Sequence, residues 1–199
     1  MALISHFSEV AILEAGCDEA GRGCLAGPLY AAAVILPFNY VHEQLNDSKQ
    51  LSRAKREALR EIIMRDAIAY SVVSISEAII DEVNILNASF RGMNLAIEKL
   101  KVRPEILLID GNRFKNETDI PHHCIIKGDS KYLSIAAASI LAKTFRDDFM
   151  ENLDTEFPMY RWRQNKGYPT AAHQEALFKF GRTPYHRRSF QIRCQPYNH

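Results

Sequence analysis

Asp18-Glu19-Ala20-Gly21-Arg22-Gly23 carries the densest chemistry in the sequence. Two adjacent acids close the apolar run 10–17, and a Gly-Arg-Gly turn follows at once. Carboxylates do little to hold a buried strand together, but their oxygens are hard ligands for a hard cation. Gly21 and Gly23 let the main chain approach a bulky partner closely. Arg22 adds a fixed positive charge beside the acids. The hexapeptide points to a metal site next to an anionic ligand. The plainer alternative is a strand end with solvated acids and a flexible turn.

The same design recurs. Leu107-Leu108-Ile109-Asp110-Gly111-Asn112 is an apolar run, an acid and a turn, and Ile125-Ile126-Lys127-Gly128-Asp129-Ser130 repeats it. Strands of an α/β sheet place ligand-binding groups just beyond their ends. Any one Asp at a strand end reads as a turn former, but three such positions beside glycine make coincidence a weaker account, and Asp18, Glu19, Asp110 and Asp129 could converge in space. Two carboxylates at 4 Å repel by about 4 kcal/mol near a protein surface, so such a cluster needs cations. An all-oxygen donor set selects Mg²⁺ or Mn²⁺ over zinc. Two ions about 3.5–4 Å apart suit phosphodiester cleavage. One geometric difficulty stands against this. Neighbours on a regular strand point to opposite faces, so Asp18 and Glu19 share a site only if the strand distorts or ends between them. The seven histidines form no arrangement with a nucleophile, which disfavours a metal-free route through a ribose 2′-hydroxyl.

These side chains need a scaffold. Residues 10–17 and 29–36 read as a strand pair joined through the Gly-Arg-Gly turn. Ser52 caps a helix over 52–66 with Leu59, Ile62 and Ile63 on one face. A third strand follows over 67–75. Ser76 opens a short helical piece, 77–82, and Asn84 or Asn87 opens a longer helix to about Lys101. Pro104 stops it before a fourth strand, 106–109, and 124–126 is a short fifth. A long helix runs from Leu133 to about Leu153, small and apolar at its start. On it Ser139 and Lys143 share a face and are candidates to hold a backbone phosphate. Lys49, after the second strand, is another. Thr170 caps a last helix, 171–180, which Gly181 closes. Strands alternating with helices after an opening pair imply a mixed sheet.

A chain of 199 residues, 47% hydrophobic, can bury one sizeable core. The expected division is a catalytic core over 1–157 and a basic helical extension over 158–199 packed on it, one domain overall. No run is apolar and long enough to span a membrane. The four cysteines, Cys17, Cys24, Cys124 and Cys194, show no paired spacing and read as cytosolic free thiols. Acids near the N-terminus argue against a secretory signal. The expectation is a cytoplasmic monomer. The net charge of +1 hides an asymmetry: residues 160–199 carry eight Lys/Arg and one acid, and the remainder carries 17 basic and 23 acidic side chains. A basic tail beside an acidic body suits catalytic acids facing a polyanion held by the tail.

Taken together, Asp18 to Gly27, Asp47 to Leu51, Leu108 to Asn112, Lys127 to Asp147, Lys166 to Thr170 and Thr183 to Phe190 closely resemble ribonuclease HII, the bacterial type 2 ribonuclease H. The motifs span almost the whole chain in the family's order. Cys24 departs from the pattern, standing where many relatives have proline. The resemblance implies an α/β fold, a ribonuclease H-like mixed sheet flanked by helices with a small C-terminal helical extension. It implies a metal-dependent endonuclease that cuts RNA in RNA/DNA hybrids and at single ribonucleotides in duplex DNA, leaving 5′-phosphate and 3′-hydroxyl ends. It implies that Asp18, Glu19, Asp110 and Asp129 are catalytic and bind two Mn²⁺ or Mg²⁺ ions. It further implies that Gly21-Arg22-Gly23 and Tyr168 read the RNA–DNA junction through the 2′-hydroxyl, the group that marks RNA. On the residues alone, Tyr168 reads as an aromatic anchoring the tail. The alternative from another class is a non-catalytic nucleic-acid-binding module that uses the basic segment.

Overall fold

The computed structural model describes residues 3–45 and 51–191. Five strands form one mixed sheet in the order β3-β2-β1-β4-β5. β1 (Glu14–Ala20) pairs antiparallel with β2 (Leu29–Ile35), which pairs antiparallel with β3 (Ala69–Ile75). On its other side β1 runs parallel to β4 (Ile106–Asp110), and β4 parallel to β5 (His122–Ile125). The predicted opening pair and mixed sheet are both present.

The two-residue period of the strands sorts side chains between two cores. Ala15 and Cys17 of β1, with Leu29, Ala31, Ala33 and Ile35 of β2, face α2 (Glu77–Glu98) through Ile80, Ala88, Met93 and Ile97. Ala32 and Val34 face the opposite way. There they meet α1 (Arg53–Asp66) through Leu59 and Ile63, and the small-residue start of α3 (Leu133–Glu156). Small residues on α3 matter because Gly16 of β1 lies directly under it. A β-carbon at position 16 would collide with the main chain of Ser134 and Ile135.

Helix starts follow their caps. Ser52, Ser76 and Thr170 each accept from the main chain three residues on. The two expected helices after Ser76 are one element broken at Asn84, whose φ of 67° is left-handed. The Asn84 side chain accepts from Leu86 N (3.0 Å) and Asn87 N (3.1 Å), so it caps the second half.

β1 lies further along than expected. Val10 is exposed, and Glu14 turns back to accept from Phe7 N and Ser8 N at 2.7 and 2.6 Å. The strand instead continues through Asp18 and Glu19 to Ala20. The last segment packs as a third cluster. Tyr160, Trp162 of the short α4 (Trp162–Asn165), and Ala176 and Leu177 of α5 (Ala171–Phe180) meet Leu25, Ala26, Met150 and Leu153. The extension thus shares its core with the loop after β1 and the end of α3.

Candidate active site

The break expected between Asp18 and Glu19 does not occur. Both stay in register with β2, opposite Ala32 and Ala31. The pairing that stops is the one with β4, whose last rung is Cys17 opposite Ile109. The next rung would set Asp18 beside Asp110 on the α3 face. Glu19 points to the α2 face. The acids therefore gather around the end of β4 from both sides of the sheet.

Each β1 acid meets a serine from the helix on its own face. The Ser139 hydroxyl of α3 donates to Asp18. Ser89 of α2, 1% exposed, lies toward Glu19 without a hydrogen bond of good geometry. Glu19 N donates to Asp18 Oδ1 at 2.7 Å, and Arg22 reaches back to Glu19 Oε1 at 3.2 Å. The Asp18 carboxyl is held well above the usual carboxylate range. Burial is the main cause, and the charges of Glu19 and Asp110 add to it. Glu19 is raised by burial, with Arg22 pulling it down and Asp110 pushing it up. Asp18 is raised by both Glu19 and Asp110, and Glu19 by Asp110, so the site favours cations.

Asp129 sits in a single 3-10 turn, Gly128–Ser130, and is 2% exposed. Gly128 N donates to Asp110 Oδ1 at 2.7 Å, so the turn is fastened to the end of β4. Among the described residues, no three of His, Cys, Asp and Glu form a ready-made cage for an ion. An ion would have to draw these carboxylates together. Their oxygen donors and mutual repulsion suit a hard divalent cation.

The Gly-Arg-Gly turn and Tyr168 are also brought together. A β-carbon at Gly23 would lie 3.9 Å from the Tyr168 ring, which is 40% exposed. Gly167 has a φ of 81°, and its carbonyl accepts from Leu25 N at 2.8 Å. Gly21 has a φ of 97° and packs on the Arg146 side chain.

Two buried arginines hold this loop, and the sequence reading missed both roles. Arg146 donates to the carbonyls of Pro28 (2.9 Å), Lys166 (2.8 Å) and Ala26 (3.1 Å). It bonds neither Asp147 nor Asp148. Arg187, 1% exposed, donates to Gly27 O (2.8 and 3.0 Å) and Arg22 O (3.0 Å). The signal for Arg146 was its position on the same helical stripe as Ser139 and Lys143. Arg187 was counted only as tail charge.

Other expectations shift. Ser139 touches Asp18 rather than standing free for a phosphate. Lys143 pairs with Asp147 at 2.6 Å, and its charge also acts on the Cys24 thiol beside the turn. Lys49 lies outside the described residues. In the basic segment Lys166 pairs with Glu151 at 2.5 Å and Arg187 is internal, so fewer cations face solvent than the sequence count suggested.

A family model described as Ribonuclease HII matches residues 15–193. A Bacteroides fragilis protein named Ribonuclease HII is 63% identical over 181 residues, covering 91% of this chain and 90% of that protein. One of the same name from Parabacteroides distasonis is 61% identical over 190 residues, covering 96% of each. The crystal structure of ribonuclease H2 from Pyrococcus horikoshii superposes with a TM-score of 0.77 at 25% identity, over 91% of this chain and 95% of that one. RNase HII of Archaeoglobus fulgidus, solved in complex with PCNA, gives 0.74 at 27% identity, over 94% and 98%.

Proposed function

The chain belongs to the ribonuclease HII family and is a ribonuclease H endonuclease, and we propose that Asp18, Glu19, Asp110 and Asp129 bind the divalent ions it works with. The observation that carries this is the approach of Asp18 and Asp110 on adjacent strands, where the Asp110 charge helps to hold the buried Asp18 carboxyl well above the usual carboxylate range. Bound Mg²⁺ or Mn²⁺ would supply an activated water and steady the departing oxygen. The residues do the rest. Ser139 and the Glu19 main chain fix the Asp18 carboxylate. The Gly128 turn orients Asp110 and carries Asp129 beside it.

The substrate class follows from the second half of the site. Exposed main chain at Gly23 lies beside a half-exposed tyrosine ring, and the buried Gly21 makes room for the Arg146 side chain behind the turn. A ribose 2′-hydroxyl needs close main-chain donors or acceptors and a flat surface for the neighbouring sugar. Gly21, Arg22, Gly23 and Tyr168 supply both. Arg22, paired with Glu19 at 3.2 Å and half-exposed, would be freed toward the nucleic acid if a bound ion neutralised that acid. The protein acts as a cytoplasmic monomer on RNA/DNA hybrids and on DNA holding single ribonucleotides. Cutting the bond to the 3′-oxygen leaves 5′-phosphate and 3′-hydroxyl ends. A non-catalytic module would have no use for buried acids that repel one another.

The test uses a labelled DNA duplex with one ribonucleotide. Cleavage beside the ribonucleotide with Mg²⁺ or Mn²⁺, and none in chelator, is expected. Binding without cleavage under all metal conditions would favour the non-catalytic reading.

A further inference from the structure

His173 and His186 lie outside the acidic cluster, and both are buried, at 0% and 2% exposure. Their hydrogen bonds fix where every proton sits. Trp162 Nε1 can only donate, and it lies 3.0 Å from His173 Nε2. His173 Nε2 is therefore an acceptor, and the ring proton is on Nδ1. That proton points at the Tyr168 carbonyl, 2.9 Å away, which can only accept. On the other ring, Thr183 N donates to His186 Nδ1 at 2.9 Å, so the His186 proton is on Nε2. It points at His173 Nε2, 3.2 Å away. Two neutral imidazoles of opposite tautomer avoid any N–H facing an N–H: Trp162 Nε1 and His186 Nε2 share the one lone pair of His173 Nε2, and Thr183 N and Oγ1, each 2.9 Å away, share that of His186 Nδ1. A third proton would set two N–H groups against each other.

We propose that His173, with its tautomer set by Trp162 and His186, is a positioning residue that holds Tyr168 in place to read the ribose. The pair acts through the Tyr168 main chain, and the inference rests on the reading role given to that ring above. The geometry supports a positional rather than a general packing role. Tyr168 is held from below by His173 and flanked by Gly167, whose carbonyl is bonded to Leu25 N. Its ring is left exposed over Gly23.

The groups around the pair reinforce neutrality. The Tyr160 ring lies 4.9 Å from His186, and its hydroxyl donates to Gly181 O. The Arg182 guanidinium is bonded to the carbonyls of Arg187 and Phe190 and adds positive charge near His186. Among the described residues, no carboxylate raises the proton affinity of either ring. Burial pushes His173 below the usual histidine range and takes His186 down to about 4.

The test has two parts on the full chain. Nitrogen-15 NMR of the histidine rings at pH 5.5–8 reads the tautomers directly. His173 protonated at Nδ1 and His186 at Nε2, with neither titrating near 6.5, is expected. A reversed tautomer or a cationic ring at neutral pH overturns the proposal whatever the substrate role of Tyr168. The second part compares kcat/KM on a single embedded ribonucleotide and on a continuous hybrid. Both substrates use the same acids, so their ratio cancels the titration of the acidic cluster. His173→Asn is expected to lower that ratio about tenfold, the equivalent of roughly one hydrogen bond. Trp162→Phe keeps an aromatic ring and removes the donor, and it serves if His173→Asn does not fold; it is expected to lower the ratio less. An unchanged ratio with either folded variant overturns the positioning role. If Tyr168→Ala also leaves the ratio unchanged, the reading role of Tyr168 has failed; if Tyr168→Ala lowers it and the His173 and Trp162 variants do not, the positioning role alone has failed.

Discussion

At the scale of single residues, the site combines acids that the sequence displayed with supports that it hid. Asp18 shows the consequence. Its folded pKa is raised by burial and by neighbouring acids, so the metal-free fold is most stable with Asp18 protonated. That stability is fully present below the ordinary value of 3.8 and is lost as pH rises toward the raised one. Asp18→Asn removes the repulsion and should raise the melting temperature in chelator at pH 7–8, by about 2–4 °C per kcal/mol relieved in a chain of this size. Adding Mn²⁺ should then stabilise the wild type and not the variant. Calorimetry from pH 4 to 8 checks both, and a variant that melts lower throughout contradicts the repulsion. Ser139 gives a second test. As a partner of Asp18 its loss should raise the metal concentration needed by about 10–100-fold, with duplex affinity unchanged. As a phosphate holder its loss would weaken duplex binding instead. The proposed acids stood out because three apolar runs each lead to an acid with glycine close by, although any one of them alone reads as a turn former. Ser89, Ser139 and the two arginines did not, because their partners are main-chain or buried groups far away in sequence.

At the scale of elements, the sheet offers a way for neighbouring acids to serve the one centre proposed. Asp18 and Glu19 take opposite faces of an unbroken strand, and the site forms where β4 ends beside them. The expected distortion was unnecessary because the opening is in the pairing, not in the strand. Most elements were readable from period, caps and breakers: Ser52, Ser76, Thr170 and Gly181 mark real helix ends. The start of β1 was not, since the run beginning at Val10 is apolar yet exposed there. Gly16 ties the strand to α3 by leaving room for its main chain. Gly16→Ala should cost roughly 1–3 kcal/mol through overpacking, and more if the helix cannot shift. Urea unfolding measures this, and a stability equal to wild type would mean that α3 does not rest on β1 as described.

At the scale of the whole molecule, the basic segment is less a detachable arm than part of the wall behind the Gly-Arg-Gly turn. Tyr160, Trp162, Ala176 and Leu177 fill a shared core, and Arg187 fastens the turn from inside. Arg187→Met should therefore lower stability, by about 1–3 kcal/mol for main-chain acceptors left unpaired. It should leave the salt slope of duplex binding unchanged, whereas each lost phosphate contact would reduce that slope by about 0.9. Charge counting in the sequence could not separate an internal cation from one that meets a phosphate. The central claim, that the acids around the end of β4 cut ribonucleotide-containing duplexes with divalent metal, is tested most directly by single-turnover cleavage of a duplex carrying one ribonucleotide. The comparison is between wild type and Asp110→Asn in Mg²⁺, with duplex affinity measured alongside. The account predicts a loss of at least about 100-fold in rate, beyond what partners of metal ligands cost, with affinity preserved. Cleavage by Asp110→Asn near the wild-type rate would contradict it.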